Sequence, residues 1–454
     1  MQKNSKNVSV LWFTVFVLVS TIAYWLVGYH WKRAQAGQLI LTFGVLFLGY
    51  GFVILQNWSA QWIKRWLWAA VGGRLLLILA TPALSDDYFR FIWDGRLLAA
   101  GYNPYLYLPA DIIHTSVGTV AKLNEMLYQG LNSPHYFTIY PPLNQLMFGV
   151  SAKVAGGNLG WNITALRIFI LAAEFGNIWL ISHWRFPKYK EKTLSGAVLV
   201  YALNPFVVIE LTGNLHFEAV TLFFVLLAVR WIDRPLRADK YNISSAAMLA
   251  LGAAVKLLPL LFLPLVFKRL GLRKGIIFSL TVGSILLGLF LPFLSLDLVI
   301  NFGKSLDLYF QKFEFNGSFY YLLREMGYRA TGYNIIHLLG PLLSMMTLVL
   351  VVWITFLRRS LLEKMLLSLT IYFLLATTVH PWYLTTLVAF GALTKRWYPV
   401  VWSALLPLTY ITYASVPYRE NMRIVALEYI VVLGCLGYEL LLKGIDWEAP
   451  QKKD

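Results

Sequence analysis

A charged stretch, SDDYFRFIWDGR at residues 85–96, follows directly on an apolar run. Its charged residues are Asp86, Asp87, Arg90, Asp94 and Arg96. Ser85 as a helix N-cap, acidic residues in the first turn and Gly101 beyond the last turn predict a short helix at a membrane surface. On that helix Asp87, Arg90 and Asp94 share one face, where an arginine would keep a carboxylate ionised and oriented. The stretch therefore predicts a site with a carboxylate base. An interfacial helix whose charges pair with one another and with headgroups is the alternative.

The composition is that of an integral membrane protein. Of the 454 residues, 58% are hydrophobic and 13% are charged, and apolar runs near the about 20 residues that cross a bilayer recur along the chain. The net charge of +17 would suggest nucleic acid in a soluble protein, but in this class it predicts basic cytoplasmic loops and no nucleic-acid partner. The single cysteine, Cys435, lies in an apolar run and gives no basis for a disulfide or a metal site.

We expect one all-α, polytopic membrane domain over residues 1–454, with roughly 12–14 spans and about 14 favoured. The first apolar run is long and lacks a small-residue cleavage site, which favours an uncleaved span over a signal peptide. Lys256 and Pro259 interrupt another apolar run and predict a pair of short helices. The predicted spans are 10–26, 39–55, 67–84, 163–183, 194–211, 217–231, the pair within 243–267, 276–292, 335–356, 361–378, 383–393, 400–411 and 424–442.

Basic residues predict the orientation. If the short apolar run at 143–155 does not cross, residues 85–162 form one large first external loop with juxtamembrane helices, and both termini are cytoplasmic. The basic residues that then face the cytoplasm are Lys64, Arg65, Arg185, Lys188, Lys190, Lys192, Arg230, Arg234, Arg237, Lys240, Lys268, Arg269, Arg273, Lys274, Arg358, Arg359, Lys364, Lys395, Arg396, Lys452 and Lys453. Lys32 and Arg33 would lie outside, against the positive-inside rule.

The predicted topology places polar segments from distant parts of the chain at one outer level. They are Asp86 and Asp87, the turn at 140–142, Asn204, 214–218, Lys256, 315–318 and 380–383. Convergence on one level predicts a single outward-facing site. Lys256 is the sharpest signal, because an ammonium group among leucines is costly without an anionic partner such as a lipid phosphate; snorkelling to the surface is the alternative.

Other polar residues have structural interpretations as well. His380 beside a proline is typical of a satisfied interfacial histidine, and His216 with Glu218 fits either a site or a structural pair. Arg167 and Glu174, two turns apart on one predicted helix, are expected to form a structural ion pair. Arg74 has no evident partner.

The chain resembles the GT-C glycosyltransferases, especially the polyprenyl-phosphate-mannose-dependent mannosyltransferases of bacterial envelopes. The residues that carry the resemblance are SDD-x2-R-x2-WDGR at 85–96 with GYNPY at 101–105, YPP at 140–142, Lys256-x2-Pro259 and HPWY at 380–383. It implies a polytopic fold with a large first external loop, a polyprenyl-phosphate-sugar donor, and an acid at the start of that loop as catalytic base. Asp87 is favoured over Asp86, because relatives often have a small residue at the position of Asp86.

We therefore expect a glycosyltransferase of the outer face of the cytoplasmic membrane. It would move a hexose, mannose on the resemblance, from the polyprenyl phosphate to a hydroxyl of a glycan, glycolipid or lipid-linked acceptor, with inversion. Asp87 would accept the proton, and Lys256 with Arg90 or Arg96 would bind the donor phosphate. The expected sugar or acceptor pocket is Asp94, Tyr140, Asn214, His216, Glu218, His380, Trp382 and Tyr383. No metal is chemically required, although the carboxylates would also suit a divalent cation.

Three rival functions are less favoured. A transporter or flippase of lipid-linked sugars would also use broken helices and intramembrane charges, but it would bind near the midplane and often shows an internal repeat, which this sequence lacks. A non-catalytic membrane subunit is disfavoured by the clustered acids. A nucleotide-sugar enzyme is disfavoured because no glycine-rich phosphate loop is present.

Overall fold

Helices and turns account for the parts of the chain that the computed structural model describes, which are residues 2–184, 196–232 and 239–442. The α-helices are Gln2–Tyr29, Ala36–Ile54, Ala60–Leu76, Asp87–Ala99, Pro109–Ile112, Ser116–Val120, Glu125–Gln129, Pro142–Ala155, Leu159–Ser182, Ala197–Ala202, Pro205–Val207, Glu218–Ile232, Asp239–Val255, Leu263–Leu270, Leu272–Phe290, Leu296–Lys312, Phe319–Thr331, Ile336–Ile354, Leu361–Leu375, Thr385–Thr394, Tyr398–Leu405 and Met422–Gly437. Shorter 3-10 turns are Pro104–Leu106, Leu258–Phe262, Leu291–Phe293, Pro381–Leu384 and Leu406–Ala414, and π-helical turns are Val208–Gly213 and Tyr438–Leu442. The predicted all-α class is confirmed.

Six helices within the described ranges are long and apolar enough to cross a membrane. They are Val10–Tyr29, Ala36–Ile54, Leu159–Ser182, Leu272–Phe293, Ile336–Ile354 and Met422–Leu441, and each coincides with a predicted span. Only 11% of the residues in the most apolar 18-residue stretch of Leu272–Phe293 are buried. Most of its leucines and isoleucines therefore face outward, as they would toward lipid. The protein is therefore polytopic, whereas the predicted total of about 14 spans is not confirmed.

The other predicted spans are shorter or broken, for identifiable reasons. The helix predicted at 67–84 begins at Ala60 and ends at Leu76, and it carries Lys64, Arg65 and Arg74, which lower its hydropathy. The span predicted at 194–211 is interrupted at Asn204, whose side chain accepts hydrogen bonds from the amides of Phe206 and Val207 at 3.0 and 3.1 Å.

A sharp bend separates Pro205–Gly213 from Glu218–Ile232. The two segments form one apolar unit bent by 112°, with Leu215 at a φ of +64° in the turn. The Asn214 side chain ties this turn to the start of the charged stretch, because its Oδ1 accepts a hydrogen bond from the Leu84 amide at 3.1 Å. A second break lies where it was predicted: the helix Asp239–Val255 ends immediately before Lys256, and a 3-10 turn follows.

The charged stretch forms the helix Asp87–Ala99, which we call the motif helix. The predicted N-cap at Ser85 is wrong: the N-cap residue is Asp86, which makes no side-chain capping hydrogen bond. The Ser85 Oγ still accepts a hydrogen bond from the Asp87 amide at 3.3 Å, and Gly101 beyond the end of the helix has a φ of +87°. The motif helix packs closely on Pro142–Ala155: a Cβ on Gly95 would lie 2.3 Å from the Phe148 carbonyl oxygen. These two helices and the short helices between them occupy the segment 85–162, which was predicted as an external loop with juxtamembrane helices.

The expected ion pair between Arg167 and Glu174 is wrong. Glu174 pairs instead with Arg74 at 2.8 Å, and both side chains are fully buried. Arg167 donates to the carbonyls of Ile78 and Thr212, both at 2.7 Å, and further to those of Ala80 and Gly213. Arg167 points away from Glu174 because these carbonyls have no helical partner where the chain turns after Leu76 and at the 112° bend, and the guanidinium satisfies them.

Several basic residues behind the predicted orientation lie outside the described residues. They are Arg185, Lys188, Lys190, Lys192, Arg234, Arg237, Lys452 and Lys453.

Candidate active site

Asp87, the first residue of the motif helix, is half-buried, and its carboxylate lies within electrostatic range of Lys256 and Glu218. We call the surroundings of these three residues the cleft. The side-chain amide of Asn132 donates a hydrogen bond to Asp87 Oδ1 at 2.9 Å. Asp86 points to a different partner and forms an ion pair with Arg33, from the turn between the first two helices. The two adjacent acids therefore have separate environments, one hydrogen-bonded to an amide and one neutralised by an arginine.

Burial raises the pKa of Asp87 to about 6. The Asn132 hydrogen bond and the charge of Lys256 oppose this shift, while the negative charges of Glu218 and Asp86 add to it. At neutral pH the carboxylate is mostly ionised yet binds a proton more tightly than an ordinary aspartate does. Both properties suit a general base.

Lys256 lies in the same cleft and is paired. Its ammonium group forms an ion pair with Glu218 and stands 3.7 Å from the ring centroid of Tyr383. The Lys256 side chain keeps 33% of its surface exposed, so these partners do not enclose it. The contacts bring together three residues that the sequence predicted from distant parts of the chain.

A stack of rings forms another wall of the cleft. His216 stacks on Trp382 with ring centroids 3.9 Å apart, and His380 stacks on the same indole at 4.6 Å. Phe315 stacks on His380 at 5.2 Å. Burial lowers the pKa of His380 to about 3 and that of His216 well below its usual value, with the Lys256 charge adding to both shifts. Both imidazoles are therefore neutral at physiological pH, and a neutral imidazole has one ring nitrogen that donates and one that accepts a hydrogen bond.

A buried carboxylate that the sequence did not single out lies beside His216. Glu210 is fully buried, accepts a hydrogen bond from the Tyr410 hydroxyl, and has an oxygen 3.5 Å from His216 Nε2. Asn214 lies beside it, with its amide nitrogen 3.5 Å from the Glu210 carboxylate, and is buried. Asn214 therefore supports the bend that carries His216.

Three predicted residues belong to networks beside the cleft. Arg90 pairs with Asp94 at 2.8 Å and donates to the Tyr136 carbonyl at 2.8 Å, while Asp94 also accepts from Gln145 at 3.1 Å. These contacts hold the chain that leads to Tyr140, whose ring packs on the motif helix. Arg96 donates to the backbone carbonyls of Lys122 and Gly157.

Sequence reasoning missed the partners of the two acids. Asn132 carries no local signal, because its contact with Asp87 spans 45 residues of chain. Arg33 did leave a signal: it was part of the exception to the positive-inside rule, and the structure places its guanidinium at the acidic motif. Tyr413 and Tyr418 approach the same guanidinium.

Within the parts of the chain described here, no three His, Cys, Asp or Glu side chains are grouped as they would be to hold a metal ion.

The arrangement can bind a phosphate through Lys256, accept a proton at Asp87 and hydrogen-bond a sugar through neutral imidazoles. Such a combination of an ionised base and a fixed cation suits group transfer from a phosphate leaving group to a hydroxyl.

Comparison with known proteins identifies the family of the chain. The family model described as "Alpha-(1->6)-mannopyranosyltransferase, N-terminal domain" matches residues 8–270, more than half of the chain. The chain is also 24% identical over 204 residues to alpha-(1->6)-mannopyranosyltransferase A of Corynebacterium glutamicum. That match covers 45% of this chain and 38% of the relative, so it spans well under half of the relative's length. No solved structure matches the chain. On the family match, the protein belongs to the alpha-(1->6)-mannopyranosyltransferase family.

Proposed function

We propose that the protein transfers a mannosyl residue from a polyprenyl-phosphate-mannose donor to a hydroxyl of a mannoside acceptor, with inversion. The family description supports mannose and the alpha-(1->6) linkage, and hence the 6-hydroxyl of a mannose unit as the nucleophile. Because an inverting reaction that yields an α product needs a β-configured donor, the donor would be a β-mannosyl phosphate. The single observation that carries the proposal is the Asp87 carboxylate, held by Asn132 in the cleft that also contains Lys256.

The proposed reaction uses Asp87 as the base and Lys256 as the phosphate-binding cation. The acceptor oxygen attacks the anomeric carbon from the face opposite the phosphate, and its proton passes to Asp87. The bond between the anomeric carbon and the phosphate oxygen breaks, and its electron pair leaves with the lipid phosphate. Lys256 stabilises the charge that grows on that phosphate. In the structure Lys256 is paired with Glu218, so donor binding would let the ammonium share the phosphate and the carboxylate.

The remaining predicted residues have supporting or sugar-binding roles in this proposal. His216, His380, Trp382, Tyr383 and Glu218 would surround the mannosyl group. Arg90, Arg96 and Asp94 would position the motif helix and its neighbours rather than touch the donor, because their contacts are with backbone carbonyls, with one another and with Gln145. Asp86 stays beside the base as the partner of Arg33.

We further propose that the cleft faces the outside of the cytoplasmic membrane and that both termini are cytoplasmic. The basic helix ends at Lys268 and Arg269 and at Arg273 and Lys274 support this orientation, because positive residues favour the cytoplasmic side. About 14 crossings would be reached if the shorter apolar helices also span.

Sugar transfer by the purified protein in lipid tests the proposal. Radiolabelled polyprenyl-phosphate-β-mannose would be the donor and an octyl α-(1->6)-linked dimannoside the acceptor, with Asp87→Asn beside wild type. Asp111→Asn is the matched control, because Asp111 is an exposed aspartate in the same segment. Labelled product from wild type and the control, but not from Asp87→Asn, would support Asp87 as the base.

A transporter of lipid-linked sugars is the second candidate, and the 112° bend favours it, since broken helices are typical of transporters. If wild type returned the donor intact and yet moved it across the membrane of the same vesicles, that result would identify the protein as a transporter rather than an enzyme.

A further inference from the structure

Arg33 joins three segments that are far apart in the chain. Its guanidinium forms an ion pair with Asp86, and the guanidinium carbon stands 4.8 Å from the ring centroid of Tyr413 and 5.7 Å from that of Tyr418. Arg33 Nη2 also donates to the Tyr418 hydroxyl at 3.4 Å, and the Arg33 amide donates to the Ala83 carbonyl at 3.3 Å. The turn after the first helix, the start of the motif and residues 413–418 therefore meet at one charge pair.

This cluster is open to solvent at its polar and aromatic surfaces. The Arg33 and Asp86 side chains keep 24% and 35% of their surface exposed, and Tyr418 is 56% exposed. A purely structural arginine in this chain looks different: Arg74 and Arg167 are fully buried, with their guanidinium groups on buried partners. The Arg33 cluster has the form of a binding surface rather than of a buried brace.

Its chemistry fits a neutral sugar ring. A pyranose can lie with its C–H face on an aromatic ring while its hydroxyls donate to a carboxylate and accept from a guanidinium. A few polar groups beside apolar rings are also the usual means of orienting a small ligand. The exposed Tyr418 ring would supply the apolar face, and Asp86 and Arg33 would supply the hydrogen-bonding groups.

The Arg33 cluster lies next to Asp87, the proposed base. Its contacts differ from those of Lys256, the proposed phosphate-binding residue. Lys256 contacts Glu218 and Tyr383, whereas Arg33 contacts Asp86, Tyr413 and Tyr418. The Asp87 carboxylate is within electrostatic range of Lys256 and of Asp86. A base that accepts a proton from the incoming hydroxyl must contact the acceptor. Since Lys256, on one side of Asp87, would hold the phosphate, the acceptor would bind on the other side, at the Arg33 cluster.

We propose that Arg33, Asp86, Tyr413 and Tyr418 form the subsite for the acceptor sugar. The inference rests on the proposed transfer reaction and adds which part of the cleft takes the acceptor. It also gives residues beyond position 270, where the family match ends, a part in substrate recognition.

Steady-state kinetics with each substrate varied in turn tests the subsite. Tyr418→Ala removes the ring on which the sugar would stack and should raise the KM for the octyl dimannoside about tenfold, which corresponds to about 1.4 kcal/mol. The KM for the polyprenyl-phosphate-mannose donor should stay within about twofold. Arg33→Gln should raise the same KM. Tyr418→Phe keeps the ring and should recover most of the affinity. Tyr328→Ala, at another exposed tyrosine on the helix Phe319–Thr331, is the control and should match wild type.

Two results would overturn the subsite. One is an unchanged acceptor KM in Tyr418→Ala, which is expected if Tyr418 is only an interfacial anchor. The other is a rise in donor KM instead, which would move the donor to this side of the cleft.

Equilibrium dialysis of the radiolabelled octyl dimannoside against the protein in nanodiscs separates this inference from the transfer reaction. If wild type binds the dimannoside and Tyr418→Ala binds it less tightly, the subsite stands even without transfer, and no binding by wild type would refute it.

Discussion

At the scale of single residues, the environment of Asp87 determines how the reaction should depend on pH. Burial raises its pKa to about 6, so the base is protonated below that pH and ionised above it. The rate should therefore fall about tenfold for each pH unit below 6, whereas an ordinary aspartate would hold the rate down to about pH 4. A profile of log kcat/KM against pH would show the acid limb.

Asn132→Ala should move that limb to higher pH. The Asn132 amide donates to the ionised form of Asp87 and favours it, so its loss raises the pKa further. A hydrogen bond to a charged group contributes about 1.5–3 kcal/mol, which predicts a shift of about one pH unit or more. Gln129→Ala, at an exposed amide nearby, should leave the profile unchanged. A limb that stays in place in Asn132→Ala would mean that another group titrates.

Lys256 and Glu218 can be separated by a double-mutant cycle. Lys256→Met should lower the single-turnover rate by about 10²–10³-fold, because a fixed cation at the leaving group is lost. It should also shift the acid limb upward, because the Lys256 charge lowers the pKa of Asp87 and Glu218 is left unpaired. Adding Glu218→Gln should return the limb toward its original pH without restoring the rate. If the rate recovered with the limb, Lys256 would act only on the base and not on the phosphate.

At the scale of elements, the position of Asp87 depends on how closely the motif helix packs. The close approach at Gly95 leaves no room for a methyl group, since its carbon would lie 2.3 Å from the Phe148 carbonyl oxygen. Gly95→Ala should therefore push the motif helix from Pro142–Ala155, lower the free energy of unfolding by about 1–3 kcal/mol and reduce transfer. Thermal unfolding in detergent and the transfer assay measure the two effects.

Gly283→Ala provides the contrast. Gly283 is also in a helix, Leu272–Phe290, but a Cβ there meets open space, so alanine should be neutral or stabilising. Equal behaviour of the two variants would show that the contact at Gly95 is not tight.

Local signals predicted the elements of the site well. Gly101 marks the end of the motif helix as predicted, although the N-cap is Asp86 rather than Ser85. The break before Lys256 follows from a charge and a proline in an apolar run. Pairing across the fold could not be predicted in this way. Glu174 meets Arg74 across 100 residues, and the nearer Arg167 turns to backbone carbonyls, because a buried guanidinium goes where unsatisfied acceptors are.

At the scale of the whole molecule, the cleft is built from both halves of the chain. The family match ends at residue 270, yet Phe315, His380 and Trp382 form a wall of the cleft and Tyr413 reaches Arg33. The sequence indicated this convergence, because polar interruptions fell at one level of the predicted topology. It could not give the number of crossings, since short and bent apolar helices satisfy the same hydropathy pattern as full spans.

Orientation in the membrane can be tested because the chain has one cysteine. In a Cys435→Ser background, single cysteines would replace Met126 and Leu272, which are 53% and 71% exposed. Met126 lies in the segment 85–162, and Leu272 stands beside the basic residues at 268–274. A membrane-impermeant maleimide should label Met126→Cys in intact cells, and Leu272→Cys only after permeabilisation, because positive residues hold the latter in the cytoplasm. The reverse pattern would place the cleft on the cytoplasmic side and rule out the proposed outward-facing reaction.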